Sequence, residues 1–206
     1  ISSGTWSLMG LELTEPIVTD DCRELNFTNE IGCGNSTRLL KNIIGLWLVQ
    51  ECRRSWAKQG NDYSYEELTK MAMKSEPHRS VLNPSDPRFL APENMPKLIT
   101  EICNETNQLV PETPGEIIRC VLESLALLYA RTLREGEKLV GWKVDKLHIV
   151  GGGSKNTLLN QLTADAANID VVAGPTEATA SGNVLVQAIA EGVVSDLNEA
   201  RQIIHR

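Results

Sequence analysis

The fold of this 206-residue chain is decided by the stretch Lys146-Leu147-His148-Ile149-Val150-Gly151-Gly152-Gly153-Ser154-Lys155-Asn156-Thr157-Leu158-Leu159. A short apolar run with β-branched residues opens it and predicts a buried strand. Three glycines follow, and then a helical spacing that continues to Ala167. Glycine lets the backbone approach a ligand closely, and the free N–H groups at a helix start carry partial positive charge. The pattern therefore favours a phosphate or nucleotide site at the turn.

Residues 151–153, which we call the glycine turn, match neither of two familiar nucleotide motifs. The dinucleotide fingerprint needs a third glycine at a fixed later offset, and the P-loop needs Lys-Ser or Lys-Thr after its last glycine. Here Gly153 is followed by Ser-Lys-Asn. From this stretch alone, a plain structural turn stays open as the alternative.

Composition narrows the class of protein. The chain is 41% hydrophobic and 23% charged, which is ordinary for a globular chain, and one large domain fits its length, although two are possible. A net charge of −7 with no basic block argues against a nucleic-acid partner. No apolar run reaches the roughly 20 residues that span a bilayer, and no signal peptide is visible, so we expect a cytoplasmic protein without a membrane partner. The chain begins at Ile1, inside a strand-like run, which predicts a fragment of something longer.

The five cysteines, Cys22, Cys33, Cys52, Cys103 and Cys120, show no CxxC spacing. A zinc site is therefore not expected, and no other metal site is predicted. Reduced, packed thiols are the ordinary expectation for such a chain.

A second cluster of hydrogen-bond donors lies at the start of the chain. Residues 1–13 contain two strand-like pieces separated by Ser2, Ser3, Gly4 and Thr5. Hydroxyls and backbone amides in a tight turn can wrap phosphate oxygens. An ordinary hairpin turn is the equal alternative.

A third cluster is predicted on a long helix from Arg38 to about Trp56, where apolar residues follow helical spacing. Two amides, Asn42 and Gln50, interrupt it. They lie two turns and about 80° apart on a helix. Because buried amides need partners, they bind either backbone and water at the helix edge or a ligand in a cleft.

The remaining pattern predicts a mixed α/β fold with a helical insertion at about 60–110. The predicted strands are 25–30, 81–82 and 169–173, and the predicted helices are 64–75, 95–107, 114–139, 176–190 and 198–205. Ser64 and Thr113 are helix caps with glutamates at the capping-box position, and Pro114 stands at the first helical position.

Together these segments resemble the C-terminal half of the FGGY carbohydrate kinases. The resemblance rests on the opening Ser2–Gly10 segment, on Arg38–Leu48, and on His148–Gly153 followed by Asn156–Leu162. It covers essentially residues 1–206 and implies the actin-like, ribonuclease-H-like ATPase fold, in which two domains close over ATP and a sugar.

The resemblance also implies roles for particular residues. Gly4 and Thr5 would contact the terminal phosphates of ATP, and Asn42 and Gln50 would reach the nucleotide from their helix. The adenosine pocket would be lined by Gly151, Gly152, Gly153 and Asn156. Cys103 and Cys120 match a pair that some members link as a disulfide.

The resemblance places other parts of the enzyme outside this chain. The catalytic Asp and most of the sugar pocket precede the opening strand in the family, so no catalytic residue is expected here. The expected partners are ATP with Mg²⁺, a ketose sugar and an N-terminal domain of the same chain, and these residues alone should be inactive. Kinases of the xylulokinase or fuculokinase type, and a non-catalytic actin-fold nucleotide module, stay open as alternatives.

Overall fold

Residues 1–204, the part of the chain that the computed structural model describes, contain six strands and eight α-helices. The strands are Ser2–Ser3 (β1), Trp6–Leu13 (β2), Thr28–Ile31 (β3), Thr37–Ile44 (β4), Lys146–Ile149 (β5) and Asp170–Ala173 (β6). The helices are Asp20–Glu24 (α1), Trp47–Ala57 (α2), Tyr65–Lys74 (α3), Met95–Glu105 (α4), Pro114–Val140 (α5), Thr157–Ala167 (α6), Ala178–Ala190 (α7) and Leu197–Ile204 (α8).

Two sheets meet at the first strand. The antiparallel sheet has the order β1-β2-β4-β3, and the parallel pair is β5-β6. A parallel bridge between Ser2 and Val150 joins them, supported by a 2.8 Å hydrogen bond from the Ser3 amide to the Val150 carbonyl. The predicted mixed α/β sheet is therefore confirmed, with β1 at the junction of its two parts.

Helix α5 covers one face of this sheet. Lys41 of β4 forms a 2.7 Å ion pair with Glu135 of α5, and Gly136 lies close to Leu11 of β2. Helices α3 and α6 pack along α5, and α4 packs against α2. The main apolar core lies between these helices and the sheet and contains the fully buried Leu48, Phe89, Ile99, Leu122 and Leu125.

The predicted helix from Arg38 to Trp56 is wrong in its first half. Residues Thr37–Ile44 form a strand between β2 and β3, and only Trp47–Ala57 is helical. The apolar pairs Leu39-Leu40 and Ile43-Ile44 satisfy a helical spacing, but a strand buried on both faces produces the same local pattern.

Two smaller predictions are also corrected. The strand predicted over 25–30 begins only at Thr28, because α1 and the left-handed Asn26, with φ 57°, come first. Val81-Leu82 is not a strand: the Gln108 side chain binds the amide and the carbonyl of Val81, where a neighbouring strand would otherwise bind.

The remaining elements follow the predictions within a few residues. The capping boxes of α3 and α5, built on Ser64–Glu67 and Thr113–Glu116, are both present. The last predicted helix is described to Ile204, and its predicted end at His205 lies outside the described residues. Helices α3 and α4 occupy the region of the predicted insertion, and the assignment of one domain with an insertion stays a prediction.

We expect Thr113→Ala to lower the free energy of unfolding by about 1 kcal/mol, because the threonine hydroxyl caps the amide of Glu116. Urea unfolding of the two proteins measures the difference. Thr69→Ala is the control, since Thr69 lies inside α3 and bonds only the preceding turn. Equal losses in the two variants would contradict the capping role.

Candidate nucleotide-binding site

The Gly4-Thr5 turn between β1 and β2 rests on the start of α2. The Leu46 amide donates to the Gly4 carbonyl at 2.8 Å, and the Trp47 amide donates to the Thr5 carbonyl at 3.0 Å. This contact requires glycine at position 45, because a Cβ there would lie 2.6 Å from Ser7 Oγ and 2.7 Å from the Gly4 carbonyl oxygen. Sequence reasoning missed Gly45, since the predicted helix ran through it.

Thr5 and Gln50 meet at this turn. Thr5 Oγ1 lies 3.0 Å from Nε2 and 3.1 Å from Oε1 of Gln50. When the amide donates to the hydroxyl oxygen, the hydroxyl proton stays available for another acceptor. Both side chains are half-buried, so a ligand oxygen at the turn would meet a donor whose position is already fixed.

The glycine turn packs directly on Ser3. Gly151 has φ 84°, a conformation that favours glycine, and a Cβ on it would lie 2.8 Å from the Ser3 carbonyl oxygen. A Cβ on Gly153 would lie 2.1 Å from Ser3 Oγ. The Gly4-Thr5 turn and the glycine turn are therefore neighbours, because Ser3 immediately precedes Gly4.

Gly152 differs from its two neighbours. It is exposed, and a Cβ built on it would meet nothing within 4 Å among the described atoms. Its backbone faces open space, as close approach of a ligand requires. Asn156 has a structural use, since its side chain accepts from the Leu159 amide at 2.9 Å and caps α6.

The turn after β6 completes this edge of the sheet. The Gly151 amide donates to the Pro175 carbonyl at 3.1 Å, and the Gly174 amide donates to the Ile149 carbonyl at 2.8 Å. The carboxyl ends of the parallel strands β5 and β6 thus lie side by side, which is where open α/β sheets bind ligands. Sequence reasoning treated Gly174-Pro175 only as the turn after a strand and began the next helix at Thr176, although this Gly-Pro pair follows a strand just as the glycine turn does.

Asn42 is placed differently from the prediction. It lies on β4, opposite Leu8 of β2, and it is exposed. Gln50 lies on α2, so the two amides do not share a helix. The predicted clusters around Thr5, Gln50 and Gly151–Gly153 lie together in the structure. Asn42 lies further along β4, away from the Gly4-Thr5 turn.

Cys103 and Cys120 face each other across α4 and α5, as expected from the resemblance. They are free thiols and are buried. A hydrogen bond from the Cys120 thiol lowers the pKa of Cys103, and the same contact, together with burial, raises the pKa of Cys120. In this structure the pair is not a disulfide.

Other features of residues 1–204 do not point to a different site. A cavity of about 150 Å³ lies between β2, β5 and α5, and none of the predicted nucleotide residues lines it. Within this range no group of three or more His, Cys, Asp or Glu side chains could hold a metal ion. None of the helices there is long and apolar enough to cross a bilayer.

Comparison with known proteins identifies the family. Residues 1–191 match the model of the C-terminal domain of the FGGY family of carbohydrate kinases. The chain belongs to the FGGY family of carbohydrate kinases.

Curated FGGY relatives match the chain over its whole length. It is 50% identical over 206 residues to a rhamnulokinase of Bacteroides thetaiotaomicron, covering 100% of this chain and 42% of that protein. It is 48% identical over 204 residues to a rhamnulokinase of Bacillus subtilis, covering 99% of this chain and 41% of that protein. The chain therefore spans less than half the length of these relatives.

A solved structure shows the same fold. The Plasmodium falciparum glycerol kinase structure with ADP superimposes with a TM-score of 0.68 at 15% identity, covering 100% of this chain and 40% of that one. The actin-like fold predicted for this FGGY domain is confirmed.

We expect Gly153→Ala to lower the free energy of unfolding by about 1–3 kcal/mol, because the new methyl group overlaps Ser3 in a packed junction. Gly152→Ala is the matched control and should leave stability within about 0.5 kcal/mol of wild type, since its Cβ meets open space. Urea unfolding measures both. Equal stability of the two variants would contradict the contact between the glycine turn and β1.

Proposed function

We propose that this chain is the ATP-binding lobe of a rhamnulokinase. The full protein would transfer the γ-phosphoryl group of ATP to the 1-hydroxyl of L-rhamnulose, giving L-rhamnulose 1-phosphate in rhamnose catabolism. Identities of 50% and 48% to rhamnulokinases support the substrate. The observation that carries the proposal is the packing of the Gly4-Thr5 turn beside the glycine turn through Ser3.

The two turns would hold opposite ends of the nucleotide. Thr5, with Gly4 beside it, would face the terminal phosphates, and Gln50 would hold the Thr5 hydroxyl so that its proton points to a phosphate oxygen. Gly152 would let the adenosine lie against the backbone, flanked by Gly151 and Gly153. A donor fixed before the substrate arrives stabilises developing charge without reorganising in the transition state.

Two further residues, Asn156 and Asn42, belong to the proposed site, but their positions in the structure change the roles we assign to them. Asn156 would line the adenosine side while its oxygen caps α6, which leaves the amide nitrogen for a ligand. Asn42 would reach the nucleotide only from the exposed face of β4.

The rest of the machinery would come from the other lobe. Phosphoryl transfer needs a base for the attacking hydroxyl and closure around the phosphates. The residues described here supply no metal cluster of their own, so Mg²⁺ would bind with the triphosphate and the remainder of the protein, where it neutralises phosphate charge. We infer that this lobe alone is inactive. A cytoplasmic enzyme is part of the proposal, supported by five unpaired cysteines.

We expect Thr5→Ala in the full-length protein to lower kcat about 100-fold, as loss of one donor to a transferring group does in other enzymes. The measurement is an assay that couples ADP release to L-rhamnulose phosphorylation. Thr5→Ser keeps the hydroxyl and should keep most of the turnover. Wild-type kcat in Thr5→Ala would contradict the role of this turn, and a preference for xylulose or fuculose would contradict the assigned sugar.

We expect Gly152→Val to raise the KM for ATP at least about tenfold, because a branched side chain occupies the space where adenosine would meet the backbone. The KM for L-rhamnulose and the melting temperature should stay near wild type. Gly152→Ala, which adds only one methyl group in the same open space, should raise this KM less than Gly152→Val does. An unchanged KM for ATP in Gly152→Val would remove the glycine turn from the proposed site.

A further inference from the structure

Three buried hydroxyl groups lie beneath the Gly4-Thr5 turn. Tyr129 of α5 is fully buried, and its Oη lies 2.6 Å from Ser7 Oγ. Ser7 is also fully buried, and Ser3 is 2% exposed. We call Ser3, Ser7 and Tyr129 the hydroxyl cluster. Hydroxyls in such a position need partners, because an unpaired buried polar group is costly.

The cluster joins both strands that flank the turn. Ser3 ends β1, Ser7 stands near the start of β2, and the two residues are paired directly across the hairpin. Ser3 Oγ has no hydrogen-bond partner within residues 1–204, although it lies near enough to Tyr129 to act on the pKa of the phenol. Tyr129 thus contacts the root of the hairpin from below.

The turn is held from two helices. The amides of Leu46 and Trp47 hold its carbonyls from the side of α2, and Thr5 meets Gln50 on that same side. On the side of α5, the Tyr129 hydroxyl holds Ser7, two residues after Thr5. The phenol–serine hydrogen bond therefore adds a contact from α5 to the strand pairing of Ser7 with Ser3 and Ile43.

We propose that Tyr129 is a positioning residue for phosphoryl transfer, which sets the location of the Thr5 hydroxyl through Ser7. The inference rests on the proposed function of Thr5. Burial raises the pKa of Tyr129, so the phenol stays protonated and keeps its hydrogen bond at neutral pH. Small displacements of a catalytic donor lower rates steeply.

The test compares variants of the full-length protein. Tyr129→Phe keeps the ring and removes the hydroxyl, and we expect kcat to fall about tenfold with the KM for L-rhamnulose unchanged. Ser7→Ala removes the other half of the bond and should give the same loss, and the double variant should be no worse than either one. In a Thr5→Ala background, Tyr129→Phe should cause no further loss, because it acts through Thr5.

Thr132→Val is the matched control. Thr132 lies one turn further along α5, is 1% exposed and carries a hydroxyl without a hydrogen-bond partner in the described part of the chain. Its replacement by an isosteric apolar side chain should leave kcat unchanged. This control separates the effect of the phenol–serine bond from a general effect of altering the helix.

Several outcomes would overturn the inference. Wild-type kcat in Tyr129→Phe would do so, and so would an equal fractional loss in the Thr5→Ala background, which would show a general structural effect. If Tyr129→Phe does not fold, Ser7→Ala decides by the same criteria. If Thr5→Ala alone leaves kcat unchanged, the proposed role of Thr5 is wrong. A loss of kcat in Tyr129→Phe would then not act through Thr5, and the inference would be overturned as well.

Discussion

The hydrogen bond from the Ser3 amide to the Val150 carbonyl ties the two sheets of the molecule together. It joins an antiparallel sheet formed early in the chain to a parallel pair formed near its end. Only glycine at positions 151 and 153 allows the two backbones to come this close. The same approach places two groups of backbone and hydroxyl donors at one edge of the sheet, where a nucleotide could bind both.

The layer of helices around α5 supports the sheet edge where the Gly4-Thr5 turn and the glycine turn lie. Helix α5 runs beneath the sheet and also carries the packing of α3 and α6. Its buried Glu123 is paired with Arg119 of the same helix and accepts the His78 amide at 3.0 Å, so the loop after α3 is tied to it. Trp47 at the start of α2 donates to the Phe89 carbonyl, which ties the segment before α4 to the helix that holds Thr5. The segments that contain α3 and α4 are therefore tied to the helices behind the candidate site, although none of the predicted nucleotide-binding residues lies in them.

The family assignment is consistent with the geometry of the candidate nucleotide site. The match over residues 1–191 and identities near half establish an FGGY domain. The fold brings Thr5, Gln50 and the glycine turn to one edge of the sheet. The proposed sugar substrate rests on relatives that are more than twice as long as this chain.

The sequence by itself determined the helices with strong local signals and the strand–glycine–helix unit. Thr113 with Glu116, and Ser64 with Glu67, mark helix starts by contacts three residues apart, which a sequence displays directly. The tertiary structure alone decided that 37–44 is a strand, because a strand buried on both faces and a helix can share one apolar pattern, and only the neighbours β2 and β3 distinguish them. It also decided where Asn42 lies and that Tyr129 supports Ser7, since such contacts join residues far apart in the chain and leave no local pattern.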